Sequence, residues 1–283
     1  MQDDQSDELE ARRQHYEKLL RAEVRLMPKF LYKYRAGNAD DLSALEQRKV
    51  WFPSFARLVD EYDGKLRPKI ELAVRWRNLV QFPMHGPHGE VQFIPFALVM
   101  EGPTGPVEPT PEQKAELDGF VDQLMTFAAA VGCYSLCADG QSHRMWKEYG
   151  ADFSGYCIEY DWRMDPETVE LRDSRTLAVD TQYFDELPQH DYGLLRLESR
   201  DIVLNKLFRP KLRRYEFEKE WRILTRQGER LCPEPGPISA ITFGDKTPDE
   251  VKQRIRHVFR EHPSIVFRRA RALGDETVEI VAD

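Results

Sequence analysis

From Gly132 onward the chain alternates short strand-like runs with helical ones, in an order that no regular βαβ repeat produces. GCYSLCA reads as a strand, SHRMWKEYGA as a helix and GYCIEYD as a strand. Strand text follows at RTLAVDTQYF, a helix at YGLLRLESRDIVLNKLF and a strand at EFEKEWRILTR. The remainder reads as strand ISAITFG, helix TPDEVKQRIRHVF, and strands SIVFRRAR and TVEIVA. A doubly wound sheet needs helices and strands in strict rotation, so the expected class is α+β. Its core should be a mixed, largely antiparallel sheet with flanking helices.

Before Gly132 the pattern is looser. The segment up to Met27 places Leu9, Tyr16, Leu19, Leu20 and Met27 at helical spacing, and Pro28 ends it. FLYKYRAGN reads as a strand running into a turn, and DDLSALEQ as a helix with Asp40 or Asp41 as N-cap, ahead of the strand KVWFPS. Lys65 to Phe82 reads as an amphipathic helix carrying Ile70, Ala73, Val74, Trp76, Leu79 and Val80. PMHGPHGE and EGPTGPVEPTP read as loops, because their Pro and Gly sustain neither ladder. Pro111 opens a helix with Leu117, Phe120, Val121, Leu124, Phe127 and Ala128 on one face. The expected organisation is an N-terminal helix over residues 1–28 and one α+β domain over 29–283.

A composition of 41% apolar and 32% charged residues belongs to a water-soluble globular chain and argues against disorder. The net charge of -8 disfavours a surface made mainly for nucleic-acid phosphates. One dense basic run, Lys206, Arg209, Lys211, Arg213 and Arg214, reads as a solvated helix end or as a patch for an acidic or nucleic-acid substrate. No apolar run approaches the roughly 20 residues that span a bilayer, and the acidic start MQDDQSDELE is the reverse of a signal peptide's. A cytoplasmic protein without membrane contact is therefore expected. Cys133, Cys137 and Cys157 sit in apolar text and read as buried thiols; with Cys232 they make no disulfide framework.

The common nucleotide cradles and hydrolase motifs are missing from the text. His85 and His88 stand in H-x-x-H spacing, but no further ligands are nominated, and no metal is expected there. More informative is YEFEKEWRIL. As a strand it sets Glu216, Glu218, Glu220 and Arg222 on one face and Phe217, Lys219, Trp221 and Ile223 on the other. Three like charges on one side suit a wet face, or a cleft in which a rigid carboxylate binds a ribose hydroxyl or stabilises an oxocarbenium-like centre. Trp146 and Tyr149 could stack on a planar ring, or form a core stripe three residues apart on a helix. Arg35 could clamp a phosphate.

Three segments in order, FLYKYR (30–35), MWKEYGADFSGYCIEYD (145–161) and FEKEWRIL (217–224), resemble the domain-of-unknown-function family 2971, and ITFGDKTPDEV resembles its glycine turn and closing helix. The resemblance covers residues 30–281. Two departures stand out: LVDEYD keeps only Asp60 and Asp63 of a family phenylalanine- and aspartate-rich run, and Glu148 replaces a histidine before the motif tyrosine. The family is bacterial, often in settings of phage defence or competition, and its three-part layout is similar to that of ADP-ribosyltransferases with their split sheet. On that likeness Arg35 would hold a phosphate or ribose of NAD, the substrate, with Tyr34 and Trp146 in the same binding set. Tyr149 and Tyr156 would flank the nicotinamide, Glu220 would stabilise the transition state and Glu218 would orient the acceptor.

Three functions follow as expectations. The first is an NAD-consuming transferase acting on a macromolecule, protein or nucleic acid. The second is a non-catalytic module that senses a nucleotide or a phage component. The third, weaker, is a metal-dependent nuclease built on Asp60, Asp63 and the glutamates, whose oxygens suit hard cations.

Overall fold

The computed structural model describes residues 24–58, 79–85, 91–97, 111–163, 178–190 and 200–283, with isolated positions outside these stretches. The chain divides into two compact units. Unit 1 comprises Met1–Glu61, Ala130–Glu186 and Lys211–Asp283, and unit 2 comprises Tyr62–Ala129 and Leu187–Pro210.

In chain order the strands are β1 (Phe30–Arg35), β2 (Lys49–Phe52), β3 (Arg67–Pro68), β4 (Leu79–His85), β5 (Val91–Ala97), β6 (Gly132–Cys137), β7 (Tyr156–Asp161) and β8 (Val179–Asp180). They continue as β9 (Gln182–Phe184), β10 (Gln189–His190), β11 (Pro210–Leu212), β12 (Glu220–Thr225), β13 (Arg230–Pro233), β14 (Ile238–Gly244), β15 (Val266–Ala272) and β16 (Val278–Ala282). The helices are α1 (Ala39–Glu46), α2 (Pro111–Ala130), α3 (His143–Glu148), α4 (Arg200–Phe208) and α5 (Asp249–Val258).

Unit 1 is built on an eight-stranded sheet in the order β16-β15-β14-β7-β1-β6-β12-β8. Its neighbours are antiparallel except β14 and β15, which the helix α5 connects in parallel. The fold class is α+β, with helices flanking a mixed, mostly antiparallel sheet. One face is apolar: Leu31, Tyr134, Leu136, Tyr156, Ile158, Tyr160, Ile241 and Phe243 pack under Leu42 and Leu45 of α1 and Ile255 of α5. The opposite face carries Tyr34, Cys137, Cys157 and Ala270, packed against Met145 and Trp146 of α3 and against Phe153. All four cysteines are buried thiols outside any disulfide.

The sheet nearly parts in its middle. β1 pairs with β7 along six residues, but with β6 at the single pair Tyr32↔Cys137. Backbone donors of β6 cannot go unpaired in a buried sheet. The segment after β2 supplies what β1 withholds: Cys133 N donates to Pro53 O at 2.9 Å and Phe55 N donates to Val131 O at 2.9 Å. Between these two pairings, Lys33 Nζ donates to Ser135 O at 2.7 Å.

Local structure explains several elements. Asn38, one residue before α1, accepts from Asp41 N at 2.8 Å and is the N-cap, not Asp40 or Asp41. Asp41 instead takes the Gly37 amide at 3.2 Å, and both acids suit the positive helix start. Ser142 caps α3 in the same way, through Met145 N at 3.3 Å. The turn from α3 to β7 is left-handed at Ala151, Asp152 and Phe153 (φ 48°, 49° and 66°). Gly155 is required for another reason, since a Cβ there would collide with the carbonyl oxygen of Arg35.

Unit 2 contains the β4–β5 hairpin, the parallel β3–β10 pair, α2 and α4, with Phe127 and Phe208 edge-to-face at 6.5 Å. Here the expected helix Lys65–Phe82 is overturned at both ends: Arg67–Pro68 and Leu79–His85 are strands. Pro83 forbids a helix through its own turn, and a two-stranded hairpin tolerates it because every strand in it is an edge. The PMHGPHGE loop likewise gives its first three residues to β4, while residues 86–90 lie outside the described ones. His88, most of EGPTGPVEPTP and most of the N-terminal helix are also outside them; Val24–Leu26 is helical and stops before Pro28. No helix among the described residues is long and apolar enough to cross a membrane.

Replacing Gly155 by Ala is expected to cost about 3 kcal/mol or more in a urea melt, because backbone and not a flexible side chain occupies the new methyl's position. Gly274→Ala, whose added methyl would meet nothing within 4 Å, should stay within about 0.5 kcal/mol of the parent.

Candidate functional site

Residues 211–222 assemble the site. After β11 the chain makes a 3-10 helix at Arg213–Glu218, Lys219 takes a left-handed conformation (φ 42°, ψ 51°), and β12 begins at Glu220. The expected continuous strand with Glu216, Glu218, Glu220 and Arg222 on one face is therefore corrected. Arg213 and Glu216 pair three residues apart, a spacing that 3-10 geometry eclipses and that a period-two reading does not register. Glu216 ends up exposed, and only Glu220 and Arg222 share a strand face.

The kink at Lys219 turns Glu218 and Glu220 toward the same ammonium. Lys211 Nζ donates to Glu220 Oε2 at 2.8 Å and to Glu218 Oε2 at 2.5 Å. Arg222 Nη2 donates to Glu220 Oε2 at 3.0 Å. Lys211, Glu218, Glu220 and Arg222 are all buried, the last completely. From α3's end, Tyr149 donates its hydroxyl to Glu218 Oε1 at 2.6 Å while the residue remains 44% exposed. Tyr183 accepts the Glu220 amide at 2.7 Å, and the Tyr215 ring lies 4.9 Å from the Lys211 ammonium.

Burial drives the Glu220 carboxyl upward, but Arg222 and Lys211 together overcome it and hold the group well below the usual carboxylate range. Glu220 is thus ionised at neutral pH. Burial and the hydrogen bond to Glu218 push the Tyr149 phenol above its ordinary value, so it remains a neutral donor. The result is a fixed anion joined through Lys211 and Glu218 to a partly exposed phenol. Such a pair can bind sugar hydroxyls or stabilise positive charge developing at an anomeric carbon.

Of the seven residues nominated from sequence, the structure brings Tyr149, Glu218 and Glu220 together. Tyr34 and Trp146 lie in the core cluster against which Phe217 packs. Tyr34 is buried and donates to Asp139 O at 2.7 Å, and Trp146 is fully buried, edge-on to Tyr34 at 5.3 Å and stacked on Phe153 at 5.4 Å. Neither presents a surface to a ligand.

Arg35 and Tyr156 are elsewhere. The register Tyr32↔Cys137↔Glu220 puts Tyr32 on the face of Glu220, and alternation sends Arg35 to the other. There Arg35 pairs with Asp41 at 3.2 Å, directly across from a buried Tyr156. The expected convergence of Arg35 with Tyr149 and Glu220 in one hollow is not found. Glu148, standing where the resemblance places a histidine, pairs with Arg144 at 2.6 Å on the outer side of α3.

Lys211 is the residue that sequence reasoning missed. It lies in the basic run read as a solvated helix end or a substrate patch, yet its burial takes it out of any such surface. The available signal is its place between Pro210 and Leu212 in strand-like text shortly before an acidic stretch. Among the described residues no group of three or more His, Cys, Asp or Glu side chains is arranged to hold a metal ion.

Lys211→Met should cost about 3–5 kcal/mol in a denaturant melt, since it leaves two buried carboxylates without their shared cation; adding Glu218→Gln should recover part of the loss, because Glu220 keeps Arg222. Because the folded Glu220 carboxyl lies below its unfolded value of 4.5, its stabilisation is complete above that pH and is lost as pH falls further. The stability of Glu220→Gln should accordingly fall less steeply than that of the parent below about pH 4.5.

No protein-family model matches the chain, and neither a curated protein nor a solved structure was found to match it.

Proposed function

We propose that the Tyr149–Glu218–Glu220 face binds a ribose-bearing nucleotide, and that the protein is an NAD-consuming, ADP-ribosyltransferase-like effector with a macromolecular target in bacterial defence or competition. The observation that carries this reading is the meeting of a phenol and two carboxylates from segments nearly seventy residues apart, with Tyr149 and Glu218 joined at 2.6 Å. On this reading Glu220, fixed on a strand and kept ionised, stabilises the oxocarbenium-like ribose as nicotinamide leaves. Glu218 orients the acceptor, and the exposed Tyr149 ring stacks on the nicotinamide. Arg35 has no part in it, so the phosphates fall to other exposed cations near the 3-10 helix, Arg144 over the Phe217 ring or Arg214 over the Tyr215 ring.

A second reading, a non-catalytic nucleotide- or phage-component sensor, has its own support. Glu218 and Glu220 are already engaged by Lys211 and Arg222, which suits a binding wall as well as a reactive one.

Incubation of the purified chain with nicotinamide-labelled and adenylate-labelled NAD in lysate separates the two. The transferase reading expects nicotinamide release and label on a macromolecule, both reduced on the order of 10²–10³-fold by Glu220→Gln. Thermal stabilisation by NAD without any release supports the sensor. Neither release nor stabilisation contradicts both.

A further inference from the structure

The parting of the sheet between β1 and β6 contains a second group of chemically active side chains, on the face away from Glu220. Lys33 reaches from β1 across the parting, with Nζ 2.7 Å from Ser135 O and 4.7 Å from the centre of the Tyr134 ring. The Arg35 guanidinium stands 5.6 Å from the same ring. An amine and a guanidinium therefore stand against one aromatic ring, with Asp41 paired to Arg35. Beside them the Tyr134 and Tyr160 hydroxyls lie 3.2 Å apart. Both Lys33 and Arg35 keep part of their surface exposed.

Burial, and then the charge of Arg35, lower the Lys33 amine from 10.5 to about 7, while Cys133, Glu220 and Asp41 act in the opposite sense. A neutral amine can give one N–H to Ser135 O and retain its lone pair. Lysines desolvated beside a second cation are nucleophiles toward carbonyl carbon.

We propose that this parting is a second ligand site, where the Lys33 amine condenses with the carbonyl of a small anionic aldehyde or ketone and Arg35 pairs with the anion. The nitrogen lone pair attacks the carbonyl carbon to give a carbinolamine. The carbonyl oxygen then leaves as water, taking both amine protons, and a C=N bond remains, so no oxidant or reductant is involved. The site stands independently of the function proposed above.

Pyridoxal 5′-phosphate, an aldehyde carrying a phosphate, serves as the probe. The full chain is incubated with it at pH 7, trapped with borohydride and mapped by peptide mass spectrometry. Lys33 is expected to be modified at least about tenfold faster than the exposed Lys219 and Lys246, because a large share of its amine is neutral at pH 7 where theirs are protonated. Inorganic phosphate should slow the labelling of Lys33 selectively, and propionaldehyde, which lacks an anion, should react there at least about tenfold more slowly than the probe. Labelling of Lys33 no faster than that of the exposed lysines overturns the proposal. Equal reaction with propionaldehyde, or indifference to phosphate, overturns the assignment of Arg35 as anion partner.

Discussion

An ammonium with two carboxylates, all withdrawn from water, is the constraint around which this part of the molecule is arranged. Removing one carboxylate from solvent costs several kcal/mol unless a partner replaces the lost hydration. Lys211 supplies that partner to Glu218 and Glu220 at once, and Arg222 adds a second cation to Glu220. Three pieces of chain must therefore stay in register: the short strand with Lys211, the 3-10 helix ending at Glu218 and the strand starting at Glu220. Tyr149 ties the end of α3 to the same centre. A local backbone change at Lys219 is what lets alternate residues aim at a single atom, because a regular strand would space them apart along the chain.

The near-division of the sheet gives the molecule two chemically distinct faces. Pro53–Phe55 takes over pairing positions on β6, so β1 is free to diverge beyond Tyr32. Lys33 then fills a backbone position with a side-chain donor. On one side of the sheet lie buried anions balanced by buried cations, where the proposed nucleotide would bind. On the other lie Lys33, Arg35 and two phenols, suited to a carbonyl and an anion. Strand alternation keeps the two sets apart, and for that reason Arg35 does not serve the site that contains Glu220.

Much of unit 1 was legible because its elements are locally consistent. β6, β7, β12, β14, β15 and β16 follow from apolar, β-branched and aromatic runs, and α5 from an amphipathic pattern with acids first and bases last. The site was half legible. Glu218, Glu220 and Tyr149 could be nominated as residue types that seldom sit together without cause. Their true partner could not, since Lys211's burial is decided by tertiary ion pairing and not by periodicity. Arg35 failed as a nominee for a geometric reason: a one-residue difference in parity reverses the face, and no feature of FLYKYR reports which parity β6 will impose. The strand Leu79–His85 was misread because apolar positions with mixed spacing fit helix and hairpin alike until the pairing with β5 chooses.

The central claim is that a nucleotide meets the protein on the Tyr149 face and not on the Arg35 face. Hydrogen–deuterium exchange with and without saturating NAD measures this directly. The account predicts slowed exchange confined to the end of α3 and the 3-10 helix with the start of β12, residues 144–150 and 213–221, where the ligand would shield backbone and restrain Tyr149. Slowed exchange at β1 and the start of α1, around Arg35 and Asp41, with none at those two segments, would contradict it.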